Sequence, residues 1–377
     1  MFDSEIWARV PFHFWSVVFF SLGCIVGSFL NVCIHRMPLN ESIVSPPSHC
    51  PYCKYSIPWF LNVPLFTWLY LRGKCANCGA PISIRYFLVE LLTGIAFLFS
   101  WLCFGSQSAL WALAICVILA GLIVATFIDF EHFIIPDEIT IGGMAAGFLC
   151  SFFVPQLHGA VSVTKSLGQS ILGIVIGGGL IYGILRGGKL LFGRQKIVLA
   201  RESTIVFTET YLKLPEQEMA YDELFYRNSD VIYFEAKRLE MVDRCYAEVS
   251  VRLTPLVLQI GEEKFKTEET PHIESITSEI TLPREAMGFG DVKFMAAIGA
   301  FLGWPAVMFA LMVSSIIGGT VGLGLIVARR HEWSSRLPYG PYIALAATIW
   351  IFSGAGVQGW WIQQLKTLVI IVVNLGG

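Results

Sequence analysis

Long apolar runs separated by short polar segments dominate the chain and predict an α-helical polytopic membrane protein. A bilayer core about 30 Å thick needs about 20 apolar residues for each helical crossing. By this criterion we predict about eight transmembrane helices. Six of them occupy 14–34, 86–104, 109–128, 139–154, 167–185 and 306–328. One more follows Asp291 as far as Gly303 and another begins within 338–342, while the segment 361–373 either crosses partly or lies in the interface.

The stretch 187–286 interrupts this apolar pattern. It holds 13 of the 26 Lys and Arg residues and 18 of the 28 Asp and Glu residues. Polar and apolar residues alternate in segments such as 203–208 and 246–253, which are rich in β-branched and aromatic side chains. This pattern is typical of β-strands. We therefore predict a β-rich soluble insert, whose function the sequence does not reveal.

Composition and charge set the class and the orientation. The chain is 55% hydrophobic and 14% charged, whereas an ordinary soluble domain is about 25% charged. Basic residues are frequent between the first two spans, in 35–85, and the positive-inside rule makes that loop cytoplasmic. Counting spans from there places Asp129, Asp291, the insert and the basic patch at 329–331 on the cytoplasmic side.

These patterns divide the chain into four regions. They are an N-terminal membrane region (1–104) with a cytoplasmic loop (35–85), a membrane core (105–186), the insert (187–286) and a second part of the core (287–377).

Four of the ten cysteines form two CxxC pairs in the cytoplasmic loop. The pairs Cys50/Cys53 and Cys75/Cys78 are separated by 21 residues, close to the spacing of a zinc ribbon. Four thiolates can bind one tetrahedral Zn(II) and leave no open position for catalysis. We therefore predict a structural zinc site rather than two redox pairs.

Two aspartates at the ends of apolar runs are the candidate catalytic residues. Asp129 ends the third span, and Asp291 follows Gly288-Phe-Gly290. A carboxylate at the mouth of a membrane helix is costly and usually faces water or a partner. Two such groups brought together would share a proton, and the pair could hydrolyse a peptide bond directly. Gly288 and Gly290 would allow a substrate backbone to approach closely.

Other interpretations of these residues remain open. Pro136 should end the preceding helix, and capping of the next helix explains Asp137 as well as a catalytic role does. The aspartates could instead cap helices in a non-catalytic zinc-ribbon scaffold, or relay protons in a transporter. A transporter would carry more polar residues within its spans than Asn31 and Glu90. Glu90 either faces the cysteine loop or snorkels to the interface.

Nucleotide and nucleic-acid binding are not expected. The run at 177–179 consists of glycines, but it lacks the Gly-Lys-Ser/Thr ending of a phosphate-binding loop. Small residues inside an apolar span instead favour close packing of helices.

Taken together, the ordered motifs closely resemble those of the bacterial type IV prepilin peptidases. The matching segments are 27–38, the two CxxC pairs, 62–64, 71–79, 82–94, 127–137, 288–293 and 338–342. They cover nearly all of the chain except the insert, which is the main departure from the family pattern. That insert could regulate access, bind a secretion-system partner or be neutral.

The resemblance implies an aspartyl endopeptidase of the GxGD type in the bacterial inner membrane. Asp129 and Asp291 match the catalytic pair, and the supporting motif residues are Gly288, Gly290, Lys293, Pro136 and Asp137. Members of the family cut a short basic leader from prepilins or type II secretion pseudopilins at the cytoplasmic face. Many also methylate the new N-terminus with S-adenosylmethionine, and the cysteine-bearing loop favours that second activity here. The residues for methyl transfer, the substrate and the oligomeric state stay unassigned.

Overall fold

The structure is a computed structural model that forms two compact units. It describes 11–192, 194–215, 218–225, 230–267, 270, 272–283, 288–328 and 337–375. The helical unit comprises Met1–Ile181 and Phe289–Gly377, and the sheet unit comprises Tyr182–Gly288. The basic patch predicted at 329–331 and Met287, which directly precedes the GxGD motif, lie outside the described residues.

The helices longer than ten residues follow the apolar runs. In chain order they are α1 (Phe12–Arg36), α2 (Ile84–Phe104), α3 (Ala109–His132), α4 (Asp137–Phe153), α5 (Val163–Phe192), α6 (Phe289–Leu302), α7 (Trp304–Val327), α8 (Gly340–Phe352) and α9 (Gly354–Leu375). The Ser83 and Ser108 hydroxyls accept backbone hydrogen bonds at the starts of α2 and α3. As predicted, Pro136 separates two helices, because α3 ends at His132 and α4 begins at Asp137.

Five described helices are long and apolar enough to cross a membrane. They are Phe12–Leu39, Ile84–Phe104, Ala109–His132, Val163–Gly188 and Trp304–Val327. The pair Gly340–Phe352 and Gly356–Thr367, bent by 111°, raises the number to six if it forms one span. The difference from the predicted eight lies partly in α4 and α6, which have 17 and 14 residues. At 1.5 Å per residue they reach about 26 and 21 Å, short of a 30 Å bilayer core.

Helix α6 forms the centre of the helical unit. Every residue from Asp291 to Leu302 is buried except Lys293. Small residues allow its neighbours to approach: a Cβ atom built on Gly173 of α5 would lie 2.0 Å from the carbonyl oxygen of Gly299. One built on Gly147 of α4 would lie 2.8 Å from the Ala300 side chain. The glycines of α4 and α5 thus let two helices pack directly on the α6 backbone, as expected for membrane helices.

The sheet unit confirms the predicted β-rich insert. Its strands are β1 (Arg194–Phe207), β2 (Tyr211–Lys213), β3 (Glu218–Ala220), β4 (Ile232–Met241), β5 (Cys245–Leu253), β6 (Val257–Ile260), β7 (Glu263–Lys266) and β8 (Ile273–Pro283). They form one antiparallel sheet in the order β3-β2-β1-β8-β4-β5-β6-β7. Alternate residues of β4, such as Phe234 and Ala236, are buried in its core. This period of two is what the sequence pattern predicts.

The contact between α5 and α6 predicts that two glycine substitutions differ in their effect on stability. Gly173→Ala should destabilise the protein by about 1–3 kcal/mol, because the added methyl group overpacks a filled interface. Gly179→Ala, in the same helix but with nothing within 4 Å of an added Cβ, should not destabilise it. Thermal unfolding in detergent measures both, and equal midpoints for the two variants would contradict this packing.

Candidate active site

Asp129 and Asp291 lie at helix ends and both are buried. Asp129 belongs to the last turn of α3 and Asp291 to the first turn of α6. Their exposed fractions are 5% and 8%. Buried carboxylates need hydrogen bonds or charge partners to offset their loss of hydration, so the surroundings of each determine what it can do.

The carboxylate of Asp129 is bound at the start of α8. Its Oδ2 atom accepts a hydrogen bond of 2.8 Å from the backbone N–H of Gly340. A Cβ atom at position 340 would lie 2.8 Å from the same oxygen, so only glycine leaves room for this approach. The N-terminus of a helix also attracts negative charge through its unpaired N–H groups and its dipole. The segment 338–342 therefore supplies a binding position for the Asp129 carboxylate.

Ile135 connects this position with the GxGD motif. The side chain is buried, in the extended segment between α3 and α4. A Cβ atom on Gly290 would lie 3.4 Å from the Cβ of Ile135, and one on Gly340 would lie 3.2 Å from its Cδ1. One apolar side chain thus contacts both the residue before Asp291 and the residue that binds Asp129. The ends of α3 and the starts of α4, α6 and α8 consequently meet in one region.

A second link joins the two motifs at their polar edge. The Nζ atom of Lys293 lies 2.5 Å from Oδ1 of Asp137, which occupies the first turn of α4. Asp137 therefore pairs across helices in addition to standing at a helix N-terminus. Gly288 is exposed, directly before the start of α6.

Sequence reasoning did not assign the roles of Gly340 and Ile135. Both lie in segments that carry the family resemblance, but the sequence spacing does not show which backbone N–H reaches Asp129.

The Tyr339 hydroxyl lies 2.9 Å from the Ser314 hydroxyl and 3.0 Å from that of Ser315, both on α7. These bonds hold the start of α8 against α7.

The four cysteines of the loop between α1 and α2 come together as predicted. Their sulfur atoms all lie within 4.8 Å of one another, and the pairs Cys50/Cys78 and Cys53/Cys75 are separated by 3.8 and 3.9 Å. A tetrahedral ion with Zn–S bonds of about 2.3 Å needs sulfurs about 3.8 Å apart, so these cysteines fit zinc. A hydrogen bond from the Tyr55 backbone N–H lowers the pKa of the Cys53 thiol to about 6, which favours the thiolate that binds metal.

The cysteine loop is attached to α2 by a buried carboxylate. Glu90 is 8% exposed and accepts a hydrogen bond of 2.7 Å from the backbone N–H of Leu65. The Leu65 backbone has a φ of +60°, a conformation that costs a residue with a side chain about 1–3 kcal/mol. Of the two interpretations of Glu90, the structure shows the one in which it faces the loop.

The arrangement can support acid and base catalysis without a covalent intermediate. Two carboxylates reach one region through helix ends, and Gly288 is exposed three residues before Asp291. A pair of this kind can hold one proton, so that one carboxylate accepts a proton from water while the other donates to a carbonyl oxygen.

Comparisons with known proteins relate the chain to two family models. Residues 21–104 match the family model of the bacterial peptidase A24 N-terminal domain, and 116–199 with 273–323 match the model of the type IV leader peptidase family. Residues 200–272, within the insert, lie outside both matches.

Several curated proteins are similar along most of the chain. A prepilin leader peptidase/N-methyltransferase of Myxococcus xanthus is 46% identical, over 96% of this chain and 77% of that protein. A protein of the same name from Aeromonas hydrophila is 28% identical, over 96% of this chain and 98% of that protein. No solved structure matches the chain.

The cysteine cluster predicts one zinc ion per chain. Metal analysis of the purified protein should find about one equivalent of zinc, and Cys50→Ser or Cys75→Ser should lose it, because three thiolates bind the ion less well. Cys245→Ser is the matched control, since this exposed cysteine lies in the sheet unit. Zinc retained in both loop variants, or lost in the control, would contradict the assignment.

Proposed function

The chain belongs to the type IV leader peptidase family, and from this membership we infer that it is a prepilin leader peptidase and N-methyltransferase. It removes the leader peptide of a prepilin and then methylates the new N-terminus. The proposal extends to this chain the activities that its curated relatives carry in their names.

We assign the peptidase activity to Asp129 and Asp291. The observation that carries the assignment is the contact through Ile135, which touches both Gly290 and Gly340 and so joins the surroundings of the two carboxylates. In the reaction one carboxylate is ionised and takes a proton from the attacking water. Its protonated partner donates a hydrogen bond to the scissile carbonyl, and a proton then passes to the leaving amine. Sharing one proton is favourable because two adjacent carboxylates cannot both ionise cheaply.

Lys293, Asp137 and Pro136 support this pair rather than perform the chemistry. The bond between Lys293 and Asp137 joins the first turns of α6 and α4, and Pro136 ends the segment that carries Ile135. Gly288 is exposed and would let the substrate backbone approach Asp291, whereas Gly290 gives room to Ile135. Lys293, Asp137 and Pro136 hold the segments that carry Asp129 and Asp291 in fixed relative positions. A reaction between two positioned groups requires this.

The topology proposed from the sequence gives this site its location. We propose that the protein crosses the bacterial inner membrane about eight times, with α4 and α6 as its short crossings. The aspartates, the cysteine loop and the insert then face the cytoplasm. A short α6 is compatible with this arrangement because protein surrounds it and lipid need not match its length.

The zinc loop has a structural role in the proposal. When bound, Zn(II) would hold Cys50, Cys53, Cys75 and Cys78 together, while Glu90 attaches the loop to α2. S-adenosylmethionine would supply the methyl group of the second activity. The loop belongs to the N-terminal half, which matches a separate family model, and we associate methyl transfer with that half.

One observation also fits an alternative function, that of a non-catalytic scaffold. Asp129 does accept a backbone hydrogen bond at the start of α8, as a purely structural carboxylate would. In that case, loss of the carboxylate would lower the amount of folded protein, whereas a catalytic carboxylate would leave folded but inactive protein.

The catalytic assignment predicts loss of cleavage in two conservative variants. In lipid, Asp129→Asn and Asp291→Asn should each cut a prepilin about 10³-fold more slowly than the unaltered chain, because general acid and base catalysis is lost. Amounts of folded protein are matched by size-exclusion chromatography. Methylation of an already processed pilin should continue in both.

Asp243→Asn provides the control, since this carboxylate is exposed in the sheet unit, and it should cleave normally. Undiminished cleavage by either active-site variant would contradict the assignment of Asp129 and Asp291 as the catalytic pair. Poor folding with normal specific activity would favour the scaffold.

A further inference from the structure

The loop between α1 and α2 presents a large apolar surface outside the helical core. A short helix, Phe66–Tyr70, lies in this loop, and we call it the loop helix. We call the surface the aromatic surface, and it is formed by Trp59, Phe60, Phe66, Leu69 and Tyr70. These side chains are 57% to 85% exposed. Exposed apolar side chains that cluster in this way mark a site of interaction.

The loop helix has an outer side and an inner side. Phe66, Leu69 and Tyr70 share the outer side, because residues three and four positions apart lie on one helix face. The rings of Phe66 and Tyr70 stack with their centroids 6.2 Å apart. On the inner side, the Trp68 ring lies 5.3 Å from the ring of Phe87 in α2. The aromatic surface therefore points away from the helices that hold the loop in place.

The contacts of Leu65 show how far the loop reaches along the span. Helix α2 has 21 residues, which is about 31 Å and matches the thickness of a bilayer core. Arg85, in its first turn, pairs with Glu131 of α3, and such charged groups belong at the level of the headgroups. Glu90 lies five residues further, or about 8 Å into the span. The Leu65 N–H donates to Glu90, so the loop reaches that depth.

The loop helix then runs back towards the membrane surface. It begins directly after Leu65, at the level of Glu90. Its Trp68 Nε1 donates a hydrogen bond of 3.4 Å to the carbonyl oxygen of Ile82, which precedes the start of α2. Phe66 is therefore the deepest ring on the outer side, and Tyr70 lies at the end nearest the headgroups. Tyr and Trp side chains are enriched at this level of a bilayer, because one end of each is apolar and the other is polar.

The charges of the loop fit a phospholipid surface. Between residues 42 and 89 the sequence contains no Asp or Glu, so the loop offers no carboxylate that lipid phosphates would repel. Lys54, Arg72 and Lys74 are exposed, and two of them follow the loop helix directly. Cations on the water side of an apolar segment reach the headgroups with their long side chains. A soluble protein partner would instead have to displace lipid to contact Phe66.

We propose that the aromatic surface is immersed in the membrane, at the boundary between headgroups and acyl chains on the side where α1 ends and α2 begins. Its partner is the phospholipid bilayer. An apolar face typically enters this boundary by about 5–10 Å, which agrees with the depth of Leu65. The loop helix thereby holds the cysteine cluster at the membrane surface, since Cys75 follows Tyr70 by five residues. This inference goes beyond the proposed function, because it applies whatever reaction the chain catalyses.

Photocross-linking to lipid tests the inference in the full chain. A photoreactive phenylalanine analogue is placed at position 66 or 70, where it keeps an aromatic ring, and the protein is reconstituted in phosphatidylcholine vesicles that carry an alkyne on one acyl chain. Both positions should cross-link to lipid about 10-fold more than the control at position 242, because an immersed side chain contacts acyl chains. Val242 is equally exposed, but it lies beside Asp243 and Arg244 in a turn of the sheet unit.

Position 99 calibrates the measurement, because Phe99 is exposed on α2 in the middle of a candidate span. Lipid cross-links at positions 66 and 70 within a few-fold of those at position 99 would support the inference. Lipid cross-links no stronger than those at position 242 would overturn it. Cross-links from positions 66 and 70 to a second copy of the chain or to added prepilin, without lipid, would also overturn it and make a protein the partner.

Fluorescence quenching measures the depth independently. A fluorescent amino acid at position 69 should be quenched more strongly by lipids with bromine near the headgroup than by lipids with bromine at the chain ends. Iodide in the water should quench it less than it quenches the same group at position 242. Equal quenching by iodide at the two positions would overturn the inference.

Discussion

The hydrogen bond from the Gly340 N–H to the Asp129 carboxylate is the constraint on which the site depends. A carboxylate buried at the end of a membrane helix must be satisfied by a polar group, and the start of α8 provides one. The bond is possible because position 340 carries no Cβ atom. It requires α8 to begin at this depth, which the Tyr339 bonds to α7 maintain. The absence of a side chain at position 340 thus controls the position of the Asp129 carboxylate, more than 200 residues away in sequence.

Close packing through small residues produces the same effect on a larger scale. Helix α6 is buried along nearly its whole length, and the glycines of α4 and α5 permit contact with its backbone. Asp291 lies in the first turn of this central helix, so the neighbours of the helix hold that carboxylate in place. Burial of Asp291 therefore follows from this packing arrangement.

The features that depend on local pattern could be predicted from sequence. The CxxC spacing predicted that Cys50, Cys53, Cys75 and Cys78 would cluster, and the alternation in 203–208 and 246–253 predicted strands. The structure confirms both. Asp129 and Asp291 could be selected because charged residues at the ends of apolar runs are costly, although their catalytic role stays a prediction.

Features that depend on tertiary contact could not be predicted from sequence. The roles of Gly340 and Ile135 arise from segments far apart in the chain, and no spacing records that they meet. The number of spans was also hard to predict, because α4 and α6 are apolar but shorter than a full crossing.

The most direct test of this account is the rate of prepilin cleavage by Gly340→Ala. The added methyl group would lie 2.8 Å from the Asp129 oxygen, so the carboxylate must move. Displacement of about 1 Å should lower kcat about 10²-fold, while methylation of a processed pilin stays normal. Gly319→Ala, where an added Cβ meets nothing within 4 Å, should cleave like the unaltered chain. Cleavage by a folded Gly340→Ala variant at the unaltered rate would contradict the central claim that this backbone position places the catalytic carboxylate.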